Sequence, residues 1–167
     1  MNLKKITYSN LLLFLLIACS SALILAYISQ YIFGFEPCIL CLYQRAPFWI
    51  IIILATIILL IPQLKKLQKS AIIFITLLLL SNGFLALYHF GVEKKIFVGP
   101  SSCSNISTEP TNLNELKEFL AKHKAVRCDQ PSFIFLGISM AGWNVFYCLS
   151  LVISSLYGLK LIRLNQQ

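Results

Sequence analysis

Charge is what this sequence has least of. Aspartate and glutamate together number six in 167 residues, and charged residues make up 12% against 58% hydrophobic. No Asp, Glu, Lys or Arg falls within about Leu11 to Phe33, Ala46 to Ile61, Ala71 to Phe90 or Gly142 to Leu159. A water-soluble domain of this length could not hide so much apolar surface, so a soluble fold is excluded. The same scarcity argues against an ion-coupled carrier, because the spans contain no buried carboxylate, lysine or arginine to bind or couple an ion, and only His89 ionises near a boundary. Internal repeats and low-complexity tracts are also lacking, as is the clustered basic groove that nucleic acid would need.

What is present is four apolar runs, each near the ~20 residues that cross a bilayer. They predict an all-α membrane protein, a four-transmembrane-helix bundle in a single integral membrane domain over 1–167. Its spans lie at about 11–33, 42–61, 71–90 and 142–161, with outer loops at about 34–41 and 91–141. The second span sets a constraint of its own: from Pro47 to Ile61 it is too short for ~30 Å of hydrocarbon, so its helix should begin nearer Leu42. Pro47 then falls in the first turns, where the missing N–H costs little.

Lys4, Lys5, Lys65, Lys66, Lys69, Lys160 and Arg163 occupy one set of ends, and every acidic residue lies in the other two connections. By the positive-inside rule the first set, and both termini, face the cytoplasm. The basic balance is therefore a topology signal. Leu16-Ile17-Ala18-Cys19 imitates a lipoprotein signal, but the apolar run continues from Ala22 to Phe33, so Cys19 is expected inside a retained span. In the long loop, Asn112 and Glu115 form a capping box. Leu113, Leu116, Phe119 and Leu120 then recur at helical spacing, predicting a short amphipathic helix on the membrane surface. Phe133 to Met140 is apolar, interrupted by Gly137, and expected to dip into the interface.

Cys19 and Cys148 sit in mid-span, where a free thiol behaves as a small apolar side chain. Cys38, Cys41, Cys103 and Cys128 all fall in the outer connections, where disulfides can persist. Cys38-Ile39-Leu40-Cys41 is a C-x-x-C, which alone could be a redox dithiol, half a zinc site or chance. Cys41 would have both the start of the second helix and the Arg45 cation beside it, and each stabilises a thiolate, the nucleophile of thiol–disulfide exchange. A four-cysteine zinc site lacks its second C-x-x-C. Cys103 and Cys128 could staple the long loop, a closure worth roughly 3–4 kcal/mol. Two outer pairs, one anchored at a helix mouth and one on a loop, fit a relay better. Arg45 has an alternative as an interfacial anchor, and His89, at the outer end of the third span, as a solvated polar cap. Tyr43, Trp49, Tyr88 and Trp143 are candidate pocket walls, although interfacial aromatics are expected in any membrane protein.

Phe35-Glu36-Pro37-Cys38-Ile39-Leu40-Cys41 with Arg45, Tyr88-His89-Phe90-Gly91-Val92-Glu93, Gly99-Pro100-Ser101-Ser102-Cys103, Arg127-Cys128-Asp129 and Gly137 through Asn144 together resemble the DsbB family of disulfide bond formation proteins. The resemblance runs in order along nearly the whole chain. It implies a quinone-dependent protein thiol:disulfide oxidoreductase of the bacterial inner membrane, with redox loops in the periplasm. It implies that Cys103 is attacked by a reduced DsbA-like periplasmic partner, that electrons pass from Cys103/Cys128 to Cys38/Cys41 through a Cys128–Cys38 bridge, and that Cys41 reduces ubiquinone or menaquinone near Arg45, with His89 a further quinone-side residue. No metal and no nucleic acid enter this scheme. Gln44 stands where the family is often acidic, and Ala141 where it often has proline. The residues alone leave open a reductase running electrons the opposite way and a scaffold whose disulfides are structural.

Overall fold

The structure is a computed structural model describing residues 7–100, 127–131 and 133–165. Cys103 and the amphipathic helix expected over 113–120 lie outside the described residues. Four helices are long and apolar enough to cross a membrane. They are α1 (Tyr8–Tyr31), α2 (Ile39–Leu60), α3 (Gln68–Glu93) and α4 (Met140–Leu164), with a 3-10 turn at Pro62–Leu67 running into α3. The all-α four-span class read from the sequence is the observed one.

Each helix is apolar around its whole circumference, as a bilayer solvent demands. Leu13, Phe14, Ile17, Leu25, Ile53, Phe84, Phe146 and Ile153 are all exposed on the outside of the bundle. Inside, Leu12, Leu15, Cys19, Ile51, Ala55, Ile72, Ile75, Leu79 and Cys148 form one continuous core. Cys19 is fully buried there, as expected of a residue interior to a span. Ser9 and Gln68 hydrogen-bond each other, tying the starts of α1 and α3 together.

The α2 helix starts earlier than the sequence suggested. Cys38, not a residue near Leu42, is its N-cap, and the Cys41 N–H donates to the Cys38 Sγ at 3.4 Å. Pro47 is consequently interior, and the Tyr43 carbonyl loses its usual helical donor. Sulfur can take the capping role because it accepts a backbone N–H much as a serine oxygen does, only more weakly.

The end of α3 is a Schellman turn built without glycine at its left-handed position. Lys95 has φ of 60°. The Ile96 N–H donates to the Gly91 carbonyl at 2.8 Å and the Lys95 N–H to the Val92 carbonyl at 3.0 Å. Gly91 is needed for a different reason, since a Cβ there would come within 2.3 Å of the Phe97 ring. The apolar segment before α4 is a two-stranded hairpin, Ile134–Phe135 (β1) against Ile138–Ser139 (β2). Leu136 and Gly137, at φ 53° and 79°, make the two left-handed positions of its tight turn. Ser139 then caps α4 by accepting from the Gly142 N–H at 3.2 Å, and its hydroxyl donates to Glu93 Oε2 at the end of α3.

Candidate functional site

One end of the bundle gathers the chemistry. Cys38 is 4% exposed, with its sulfur 3.0 Å from the Cys41 Sγ and 3.4 Å from the His89 Nε2. Both cysteines are free thiols. Cys38, and not Cys41, holds the helix-capping position, so the backbone N–H groups and the positive end of the α2 dipole act on Cys38. The hydrogen bond shared with Cys41 pushes the Cys38 thiol well below the ordinary thiol range. Burial opposes this, and His89 and the Cys41 N–H add to the lowering. The expectation that Cys41 has the helix start beside it is thus corrected, because the helix begins three residues earlier than its hydrocarbon-spanning minimum requires.

Arg45 is not turned onto Cys41. Its Nη1 donates to Gln30 Oε1 at 2.6 Å, its Nη2 to the Ala26 carbonyl at 3.5 Å, and the guanidinium lies 5.0 Å from the Tyr27 ring centre. It nevertheless lines the same cavity of about 310 Å³ as Cys38, Cys41, Gln44 and His89. Of the four aromatic residues expected as walls, Trp143 lines this cavity, together with Phe35, Phe48, Phe133 and Tyr147. Tyr43 and Trp49 are largely exposed, and the Tyr88 hydroxyl instead donates to the Val98 carbonyl at 2.8 Å.

His89 is 1% exposed and therefore not a solvated cap. Its Nε2 faces Cys38 and lies 3.8 Å from Glu93 Oε1. Its Nδ1 is met by the Gln44 side-chain amide nitrogen at 2.8 Å. An amide nitrogen only donates, so Nδ1 accepts and Nε2 carries the hydrogen. The Cys38, Cys41 and His89 ligand atoms all lie within 4.8 Å of one another. Nε2 presents a hydrogen and not a lone pair to the sulfurs, so the trio is a hydrogen-bonded dithiol in this arrangement.

Cys128 is 1% exposed and disulfide-bonded, and it packs with Cys38, Leu40 and Val92 in a second small apolar cluster. Beside it Arg127 and Asp129 form a two-pronged ion pair with contacts of 2.9 and 2.6 Å. Asp129 is held below the usual carboxylate range by that hydrogen-bonded arginine. Sequence reasoning missed Gln44 and Asn144 as site residues. Their signal was available: buried amides inside apolar spans are costly and need a reason.

A cysteine pair at the mouth of a membrane-spanning helix, with a histidine on one sulfur and a disulfide-bonded cysteine packed nearby, defines a membrane protein equipped for thiol–disulfide exchange. Residues 8–158 match the family model for disulfide bond formation protein DsbB. The chain belongs to the DsbB family. It is also 34% identical over 153 residues to the uncharacterized protein RP370 of Rickettsia prowazekii (strain Madrid E), covering 90% of this chain and 87% of that protein. No solved structure matches it.

Proposed function

We propose that this protein reoxidises a DsbA-like dithiol protein at the periplasmic face of a bacterial inner membrane and delivers the electrons to ubiquinone or menaquinone. Both termini are then cytoplasmic and the two outer connections periplasmic. Cys103 exchanges with the partner, which leaves as a disulfide. The two electrons move from the Cys103/Cys128 pair to Cys38/Cys41 and on to the quinone, and the two protons lost by the partner's dithiol balance the two that the quinol gains.

The observation that carries this reading is the position of Cys38. On one side it packs with Cys128, and on the other it lines, with Cys41, Arg45 and His89, an apolar-walled cavity at the end of the bundle. That cavity fits a quinone ring, since it offers flat aromatic walls, a guanidinium and an imidazole N–H in one place. A bound quinone supplies the two-electron acceptor. Arg45 and His89 would hold and orient its oxygens, His89 with the Nε2 hydrogen it otherwise aims at Cys38, and the apolar walls would exclude water.

The test is anaerobic mixing of the purified protein with a reduced DsbA-type partner and quinone, following partner oxidation and quinone reduction together. Equal amounts of each product are expected. Cys128→Ser should accumulate a Cys103–partner mixed disulfide, and Cys103→Ser should form none. If both variants oxidised the partner at the wild-type rate, the loop pair would be a staple. Partner reduction driven by quinol would reverse the direction.

A further inference from the structure

A file of polar groups, buried except for the partly buried Asn144, descends from Cys38 into the bundle, and the reading above uses only its Cys38 and His89 end. The Asn82 Nδ2 donates to the Cys148 Sγ at 3.5 Å, and the Cys148 S–H donates to Asn144 Oδ1 at 3.6 Å. The Asn144 Nδ2 donates to Gln44 Oε1 at 2.6 Å, and the Gln44 Nε2 approaches His89 Nδ1 at 2.8 Å. His89 Nε2 then faces the Cys38 Sγ at 3.4 Å. Every bond in the file donates in the same direction, toward Cys38. It crosses α3, α4 and α2 in turn. Asn82, His89 and Cys148 are each 1% exposed and Gln44 is 6% exposed. Asn82 Oδ1 has no hydrogen-bond partner among the described residues, an orphan that packing alone would select against.

Reversing any amide would put two donors or two acceptors face to face, so the orientation of one residue fixes the next. We propose that Gln44, Asn144 and Cys148 are positioning residues whose hydrogen-bond file keeps the His89 hydrogen on Nε2, aimed at Cys38, so that Cys38 departs as a stabilised thiolate when electrons enter the Cys38/Cys41 pair. The proposal rests on the relay reading. Attack on the Cys128 sulfur of a Cys38–Cys128 bridge by the Cys103 thiolate forms the Cys103–Cys128 disulfide, breaks the S–S bond to Cys38 and leaves the electron pair on Cys38. A stabler leaving thiolate leaves faster and favours the reduced pair at equilibrium. The arrangement in the structure, with Cys128 disulfide-bonded and Cys38 and Cys41 free, corresponds to the product of that step.

The experiment uses the full chain without partner or quinone, so its outcome does not depend on either. The Cys38/Cys41 pair is equilibrated in glutathione buffers and trapped by alkylation with mass-spectrometric mapping. Cys38 alkylation is also measured against pH, and His89 is read by nitrogen-15 NMR. The ionisable groups around Cys38 and His89 are Cys41 and Arg45 on α2, Glu93 on α3 and Glu36 at the cavity rim, and all are kept in the variants. Gln44→Leu and Asn144→Leu should lower the equilibrium constant for pair reduction about tenfold, near 30 mV for two electrons. They should also shift the Cys38 alkylation profile to higher pH. Gln44→Glu, which accepts where Gln44 donates, should move the His89 hydrogen to Nδ1. Cys148→Ala should show a smaller shift in the same sense, and Cys148→Ser, which restores a donor to Asn144, should recover wild-type values. If the leucine variants do not fold, the Cys148 pair and the wild-type NMR spectrum still decide. A wild-type His89 protonated on Nδ1, or variants with unchanged potential and alkylation profile, would overturn the proposal.

Discussion

At the scale of single residues, Cys38 touches both Cys41 and Cys128, while Arg45 has its charge committed to α1. Arg45 bonds Gln30 and lies over Tyr27, so it is held rigidly at the cavity wall. Arg45→Met should therefore weaken apparent quinone affinity by about 1–3 kcal/mol, the range of a charge-assisted hydrogen bond. Arg45→Lys should be intermediate, lacking the planar fork. Gln30→Leu should show part of the same loss by freeing the guanidinium. Steady-state quinone reduction over a range of quinone concentrations checks this, with exchange at the loop pair expected unchanged. If Arg45→Met kinetics matched wild type, His89 would become the principal quinone residue. Cys38 carries a pH prediction. Its thiol is lowered in the folded reduced protein, so its contribution to stability is fully present above the ordinary thiol range and is lost as pH falls through the depressed value. The thermal midpoint of the reduced form should fall on acidification, and that fall should be absent in Cys38→Ala.

At the scale of elements, two helix ends position the site by means that local propensity does not favour. A lysine in the left-handed conformation closes α3, where glycine would cost nothing sterically. Lys95→Gly should accordingly stabilise the protein by up to about 1 kcal/mol. Gly91→Ala should destabilise it by about 1–3 kcal/mol, because the new methyl meets the Phe97 ring. Thermal unfolding in detergent reads both. Because His89 and Glu93 lie in the last turns of α3, Gly91→Ala should also reduce Cys38 reactivity, whereas Lys95→Gly should not. The Ser139 bridge from the α4 cap to Glu93 links the same turns to the hairpin.

At the scale of the whole molecule, the arrangement of charge predicts the way the bundle sits in the bilayer. Lys65 and Lys66 lie in the turn joining α2 to α3, while Cys38, His89 and Cys128 gather at the opposite end. Alkaline phosphatase fused after Lys69 should be inactive, and fused within the long loop at Asn112 it should be active. The intact mass of the purified protein should include the residues before Cys19 and no lipid on that cysteine. Lipidation at Cys19 would contradict its place in the core between α1 and α4.

The sequence by itself determined the fold class and the family. Four uncharged runs admit only membrane helices, since backbone groups in hydrocarbon must bond within their own segment. The spacing and order of the outer cysteines, set among their neighbouring motifs, carried the family resemblance. Only the tertiary structure decided which sulfur takes the helix start, because a helix may begin anywhere upstream of its minimum span and Cys38 itself supplies the cap. The tertiary structure also turned Arg45 toward α1 and buried His89 against Cys38 and Gln44. Cys148 sits in the apolar core as the sequence suggested, and only the structure shows that its thiol also donates to Asn144. The Gln44–Asn144 bond joins residues a hundred positions apart on two helices. Hydropathy sets a minimum length for each helix, but its rotation about its own axis is set by packing against its neighbours, and that rotation chooses which polar groups meet.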